Sequence, residues 1–227
     1  MSGPMLIADI LMCCFWIATE CLCLYGTKKY KKAIMSPFSQ ILLTPLELSI
    51  AILLLTSHES NKYVTISYTC WAVIEFLTIR LYFKHSIVPK KWRKWYIFSI
   101  ICLLITFISL FTHVDDSLFI LNCFVTMLAI IVWYVHVFSP SYPITNLTLI
   151  IFFLKLIGDI LANIVYLNSS LIIVKCSLII LMTVDFCFIP TWFILRHKRK
   201  HTDNNKPIAQ QKVHNNQQSI KKKYNKK

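Results

Sequence analysis

The chain has 227 residues, 56% of them hydrophobic, with 3 Gly, 8 Pro and a formal net charge of +14. A composition this apolar excludes an ordinary soluble domain and points to a bilayer. The charge is placed against a nucleic-acid role: eleven of the 24 Lys and Arg lie from Arg196 onward and nine more fall in two short loops, the flanking pattern of membrane spans.

A helix needs about 20 apolar residues to cross hydrocarbon, and seven stretches qualify. The first, Leu6 to Tyr25, has no basic residue before it, so it reads as a retained helix and not a cleaved signal. Its Asp9 and Glu20 fall near the ends, where side chains reach the interface. The second, Pro37 to Ser57, carries Glu47 near its midpoint, and Pro45 should kink it and free a backbone carbonyl nearby. The third, Lys62 to Phe83, carries Glu75; Arg80 is five positions on, a poor spacing for a same-face pair. The fourth and fifth, Trp95 to Thr112 and Ser117 to Phe138, carry no charge. The sixth, Asn146 to Leu167, holds Lys155 and Asp159 four residues apart, a spacing that lets them neutralise each other. The seventh, Leu171 to Leu195, holds Asp185 inside and Lys175 near its start.

Loop charge sets the expected orientation. Lys28, Lys29, Lys31 and Lys32 follow span 1; Lys84, Lys90, Lys91, Arg93 and Lys94 follow span 3; the basic tail follows span 7. The alternate loops hold Lys62 with Glu59, Asp115 and Asp116. The positive-inside rule then places the N-terminus out and the C-terminus in. The expected organisation is an all-α polytopic protein, with a seven-helix transmembrane domain over 1–195 and a basic, disordered cytoplasmic tail over 196–227 lying on anionic lipid. The host membrane is expected to be the endoplasmic reticulum or the bacterial inner membrane. All nine Cys fall inside spans without metal or redox spacing and read as small hydrophobes. Trp92, Trp95, Trp133, Tyr134 and Trp192 gather at the inner ends of spans as an interfacial belt.

At a rise of about 1.5 Å per residue, Glu47, Glu75, Lys155, Asp159 and Asp185 share one depth, near the midplane. A carboxylate there costs roughly 2.5–3.5 kcal/mol and is seldom kept without a task. Glu47 and Asp185 have no opposite charge near them in sequence. Either they find Lys155 across the bundle or they keep their protons, and a protonated acid in an apolar pocket is a proton donor. Trp16, Trp71, Phe76 and Phe186 are the candidate cavity-lining aromatics, with Phe15, Phe152, Phe153 and Phe188 also in the spans; their faces would stabilise a passing cation.

These residues resemble the small seven-helix integral-membrane terpene cyclases of the paspaline and meroterpenoid type. The resemblance rests on Ala33-Ile-Met-Ser-Pro-Phe-Ser-Gln-Ile-Leu-Leu-Thr-Pro-Leu-Glu47 on helix 2, Trp71-Ala-Val-Ile-Glu75 on helix 3, Lys155-Leu-Ile-Gly158 on helix 6 and Asp185 on helix 7. The chain departs from the family at Leu43 and Leu46, at Glu75 where the family has Asp, and at Asp159 where it has Thr. The resemblance implies protonation of an epoxide on a prenyl chain followed by polyene cyclisation, without metal or other cofactor. It implies Glu47 and Asp185 as the acid machinery with Glu75 in support, and Lys155 and Asp159 as further polar groups. It also implies a prenylated substrate drawn from the bilayer and an upstream prenyltransferase and epoxidase. The rival reading is a small-solute or proton-coupled carrier, against which count the missing internal repeat and the lack of a counterpart to Pro45 in helix 6. A retinal photoreceptor would need a Lys deep in the last span, and Lys175 is near its end.

Overall fold

The computed structural model describes residues 3–56, 62–110, 116–166 and 172–204. Among them there is no strand. The elements are α1 (Gly3–Tyr30), α2 (Pro37–Thr56), α3 (Lys62–Lys84), a 3-10 turn (Lys90–Trp92), α4 (Arg93–Leu110), α5 (Asp116–Val137), α6 (Asn146–Tyr166) and α7 (Ile172–Asn204). All seven α-helices are long and apolar enough to cross a membrane. The chain divides into two compact units, Met1–Ile189 and Pro190–Lys227.

Local chemistry sets the helix ends. Ser36 caps α2, its hydroxyl accepting the Phe38 amide at 3.2 Å, and Pro37 follows at the first helical position, where its missing N–H costs nothing. Thr145 and Thr148 cap α6 reciprocally, each hydroxyl accepting the other's amide, at 3.0 and 3.4 Å. At the end of α3, Ser86 takes the left-handed conformation (φ 55°) while Ile87 and Ser86 donate back to Tyr82 and Phe83, a Schellman closure made without glycine. Two helices outrun their expected lengths. The span expected to stop at Tyr25 continues to Tyr30, because Thr27, Lys28 and Lys29 continue the helix and the lysines suit its negative C-terminal end. The seventh runs past Leu195 to Asn204 for the same reason, so the first residues of the basic tail are helical. The rest of the expected disordered tail, and the loop acids Glu59 and Asp115, lie outside the described residues.

Within the first unit, α1 packs on α3 and α6, and α2 packs on α3, α4 and α5. The core lies between α2, α4 and α5, where Leu46, Ile50, Leu53 and Leu54 meet Phe107 and Val125. A second cluster joins Ala33 to Ile79, Tyr82, Tyr96 and Ile100. Outward faces carry exposed Phe98, Ile105, Phe124, Ile150, Ile164 and Phe186, an apolar surface water would penalise.

The α1–α2 connection does not sit on the surface. Ala33, Ile34, Met35 and Ser36 are buried, so their backbone groups need partners. Side chains from three helices supply them. Trp133 on α5 donates to the Ile34 carbonyl at 2.7 Å, Tyr82 on α3 to the Met35 carbonyl at 2.6 Å, and Tyr96 on α4 to the Pro37 carbonyl at 3.0 Å. The His136 ring lies 3.4 Å from the Ala33 carbonyl. Met35 of this folded-in segment reaches the cavity described below. In the second unit, the Arg196 guanidinium lies 4.7 Å from the centre of the Trp192 ring.

Candidate functional site

A cavity of about 130 Å³ runs between α1, α2, α3, α5, α6 and α7 of the first unit. Asp9, Cys13, Trp16 and Glu20 line it from α1 at spacings of four, three and four residues, one continuous helix face. At a rise of about 1.5 Å per residue that face is roughly 16 Å long. Glu47 enters from α2, Tyr68 and Trp71 from α3, Trp133 from α5, and Lys155 and Asp159 from α6; Met35 of the buried connection lines it too.

One half of the polar constellation is held by ion pairs, with Asp185 Oδ1 its one buried atom lacking a partner. Lys155 Nζ lies 2.6 Å from Asp159 Oδ2 and 2.7 Å from Asp185 Oδ2, so a single ammonium bridges two acids on neighbouring helices. Asp159 accepts a further hydrogen bond from Trp16 Nε1 at 2.8 Å. Gly158 makes that approach possible: a Cβ there would sit 2.5 Å from Trp16 Cδ1 and 2.6 Å from its Nε1. Asn163 continues the α6–α7 seam by donating to the Asp159 and Leu178 carbonyls at 2.8 and 3.3 Å. Farther along, Phe152 and Phe188 stack with centroids 4.4 Å apart, and Trp133 tilts against both.

The other half is not satisfied. Glu20 Oε2, Glu47 Oε2, both oxygens of Glu75 and Trp71 Nε1 are buried without a hydrogen-bond partner. The three glutamates lie within electrostatic reach of one another, and Glu20 also feels Lys155. Lys155 is the only buried Lys or Arg among the described residues. One ammonium therefore stands against six carboxyl groups, those of Asp9, Glu20, Glu47, Glu75, Asp159 and Asp185, an imbalance that protons or a ligand must correct. No cluster of three or more His, Cys, Asp or Glu among the described residues has metal-binding geometry.

The structure sorts the sequence-predicted residues. Glu47, Lys155, Asp159, Trp16 and Trp71 line the cavity; Asp185 sits behind Lys155; Glu75 is 1% exposed and lies behind the wall near Thr44. Of the two fates open to Glu47 and Asp185, pairing with Lys155 falls to Asp185 alone. Phe76 and Phe186 do not line the cavity. They are 50% and 51% exposed, on the outward faces of α3 and α7. Phe76 follows Glu75 directly, and one helical step of about 100° turns it away from the face that buries the acid. Trp133 corrects the belt reading: it is 2% exposed and holds the α1–α2 connection, whereas Trp92 and Trp95 are exposed.

Sequence reasoning missed Glu20. Ending the first span at Tyr25 put it near an interface; with α1 reaching Tyr30 it falls well inside the apolar stretch Ile7–Tyr30. Its spacing from Asp9, Cys13 and Trp16 was the signal available. Compared with protein-family models, curated proteins and solved structures, the chain matches none of them.

Proposed function

We propose that the protein is a multi-pass membrane enzyme, N-terminus out and C-terminus in, that cyclises a prenyl chain by protonating its terminal epoxide. The observation that carries this reading is the buried, unpartnered Glu47 Oε2 in a cavity whose lining includes the rings of Trp16, Tyr68, Trp71 and Trp133. Protons on the glutamates reduce the charge imbalance, and Glu47 is the one of the two predicted acids that faces the cavity.

The chemistry follows from that placement. Glu47 transfers its proton to the epoxide oxygen, and the C–O bond breaks towards the more substituted carbon. A neighbouring alkene supplies its π pair to that carbon, forming a C–C bond and passing the positive charge along the chain. Loss of a proton to a carboxylate ends the sequence, so the product has the mass of the substrate. Indole and phenol faces stabilise the travelling charge, and the scarcity of water in such a site protects it from capture. Lys155, held by Asp159 and Asp185, fixes α6 against α7; Asp185 in this mechanism positions Lys155. A cavity near 130 Å³ is about the size that holds one aromatic ring, which suits the epoxide-bearing end while the remainder of the chain lies outside that volume.

The test is incubation of membranes containing the protein with epoxidised farnesyl- or geranylgeranyl-bearing aromatics. Cyclic products of unchanged mass, lost in Glu47→Gln, are expected; no product from any such substrate would refute the proposal.

A further inference from the structure

Three tryptophans line the cavity, and two of them have given their N–H away. Trp16 Nε1 donates to Asp159 at 2.8 Å and Trp133 Nε1 donates to the Ile34 carbonyl at 2.7 Å. Trp71 is 5% exposed and its Nε1 has no acceptor. Its ring is nevertheless firmly held, 4.9 Å from Tyr68 edge to face and 5.6 Å from Trp16. A buried indole N–H is nearly always paired, and this one is in the same wall as the unpaired acid Glu47.

We infer that the Trp71 indole N–H is the docking point for an oxygen acceptor on an otherwise apolar ligand that occupies this cavity. The inference rests on the reading of the cavity as the site of an oxygen-bearing prenyl chain, and it names the second contact to that oxygen. An epoxide oxygen has two lone pairs. One receives the Glu47 proton; the other accepts from Trp71, which places the oxygen before transfer and weakens the C–O bond to be broken. No other tryptophan in the wall can do this, because Trp16 and Trp133 are committed to protein acceptors.

The test uses the full chain in lipid nanodiscs and two unreactive probes, a saturated terpenoid ketone and the hydrocarbon of the same skeleton. The wild-type protein should bind the ketone about tenfold more tightly than the hydrocarbon, the worth of one neutral hydrogen bond. Trp71→Phe, which keeps a ring in place and removes the donor, should bring that ratio close to one. In the ¹⁵N-indole spectrum of the wild-type chain, a single N–H signal should move downfield with the ketone and stay still with the hydrocarbon. That measurement holds even if Trp71→Phe folds poorly. A ketone preference that survives in a folded Trp71→Phe protein, or an indole spectrum indifferent to the ketone, overturns the inference. If ketone discrimination is present but the wild-type protein converts no epoxide, the cyclase reading fails and this one stands.

Discussion

The two halves of the buried site use the same residue types in opposite ways. Around Lys155, two aspartates and a tryptophan are joined by ion pairs: the ammonium bridges both acids and the indole N–H of Trp16 donates to Asp159, with Asp185 Oδ1 the one atom of the set left without a partner. Around Glu47, three glutamates and a tryptophan leave their polar atoms unpaired. The first arrangement is what a helix seam needs in order to carry charge. The second holds nothing together and is costly to maintain, so its retention marks the place where something else makes contacts.

Removing the ammonium is the strongest way to break this comparison. Lys155→Met should leave Asp185 buried and without its ion pair, and Asp159 with the Trp16 N–H alone, at about 3–5 kcal/mol. The expected outcome is failure to accumulate as a monodisperse species in detergent. A variant that accumulates and melts like the wild type would show that the seam does not depend on its ion pairs. Glu47→Gln should do the reverse: an unchanged melting temperature with turnover lowered by about 10²–10⁴-fold, the range of a positioned general acid. Loss of fold in Glu47→Gln would move that acid to the architectural side.

Gly158→Ala tests the joint between the halves. The added methyl would meet the Trp16 ring, forcing it off Asp159, and overpacking of this kind costs about 1–3 kcal/mol. Lower thermal stability is expected together with a partial loss of turnover, because Trp16 also lines the cavity. A melting curve identical to the wild type would mean that the Trp16–Asp159 hydrogen bond contributes little.

The satisfied half was nearly legible in the sequence. Four-residue spacing announced the Lys155–Asp159 pair, and an Asp at matching depth on the last helix made Lys155 its natural partner. The seven helices were legible too, since hydrocarbon leaves long apolar runs only one backbone solution. The unsatisfied half was harder. Which face of α3 turns inward is decided by packing against α1 and α2, so Trp71 and Phe76 looked equivalent although only one faces the cavity. Glu20 was hidden by a helix end drawn five residues too early. The inward fold of Ala33–Ser36 had no signal, because the donors to its carbonyls, Tyr82 and Trp133, are 47 and 99 residues away from their acceptors.

Glu75 gives the finest test, and the smallest expected effect. It belongs to the unsatisfied half by its unpaired oxygens, yet it is not part of the cavity wall. If contact with the ligand is what distinguishes that half, Glu75→Gln should change little. The amide keeps the shape of the acid, and its NH₂ group gains the chance to donate to the Thr44 hydroxyl, itself buried and unpartnered. Stability should shift by less than about 1 kcal/mol in either direction, and turnover by less than about fivefold, the factor equivalent to that energy. A loss as large as that of Glu47→Gln would show that protons reach Glu47 through Glu75. The cavity wall would then be the wrong boundary, and the glutamates would have to be treated as one acid shared between α1, α2 and α3.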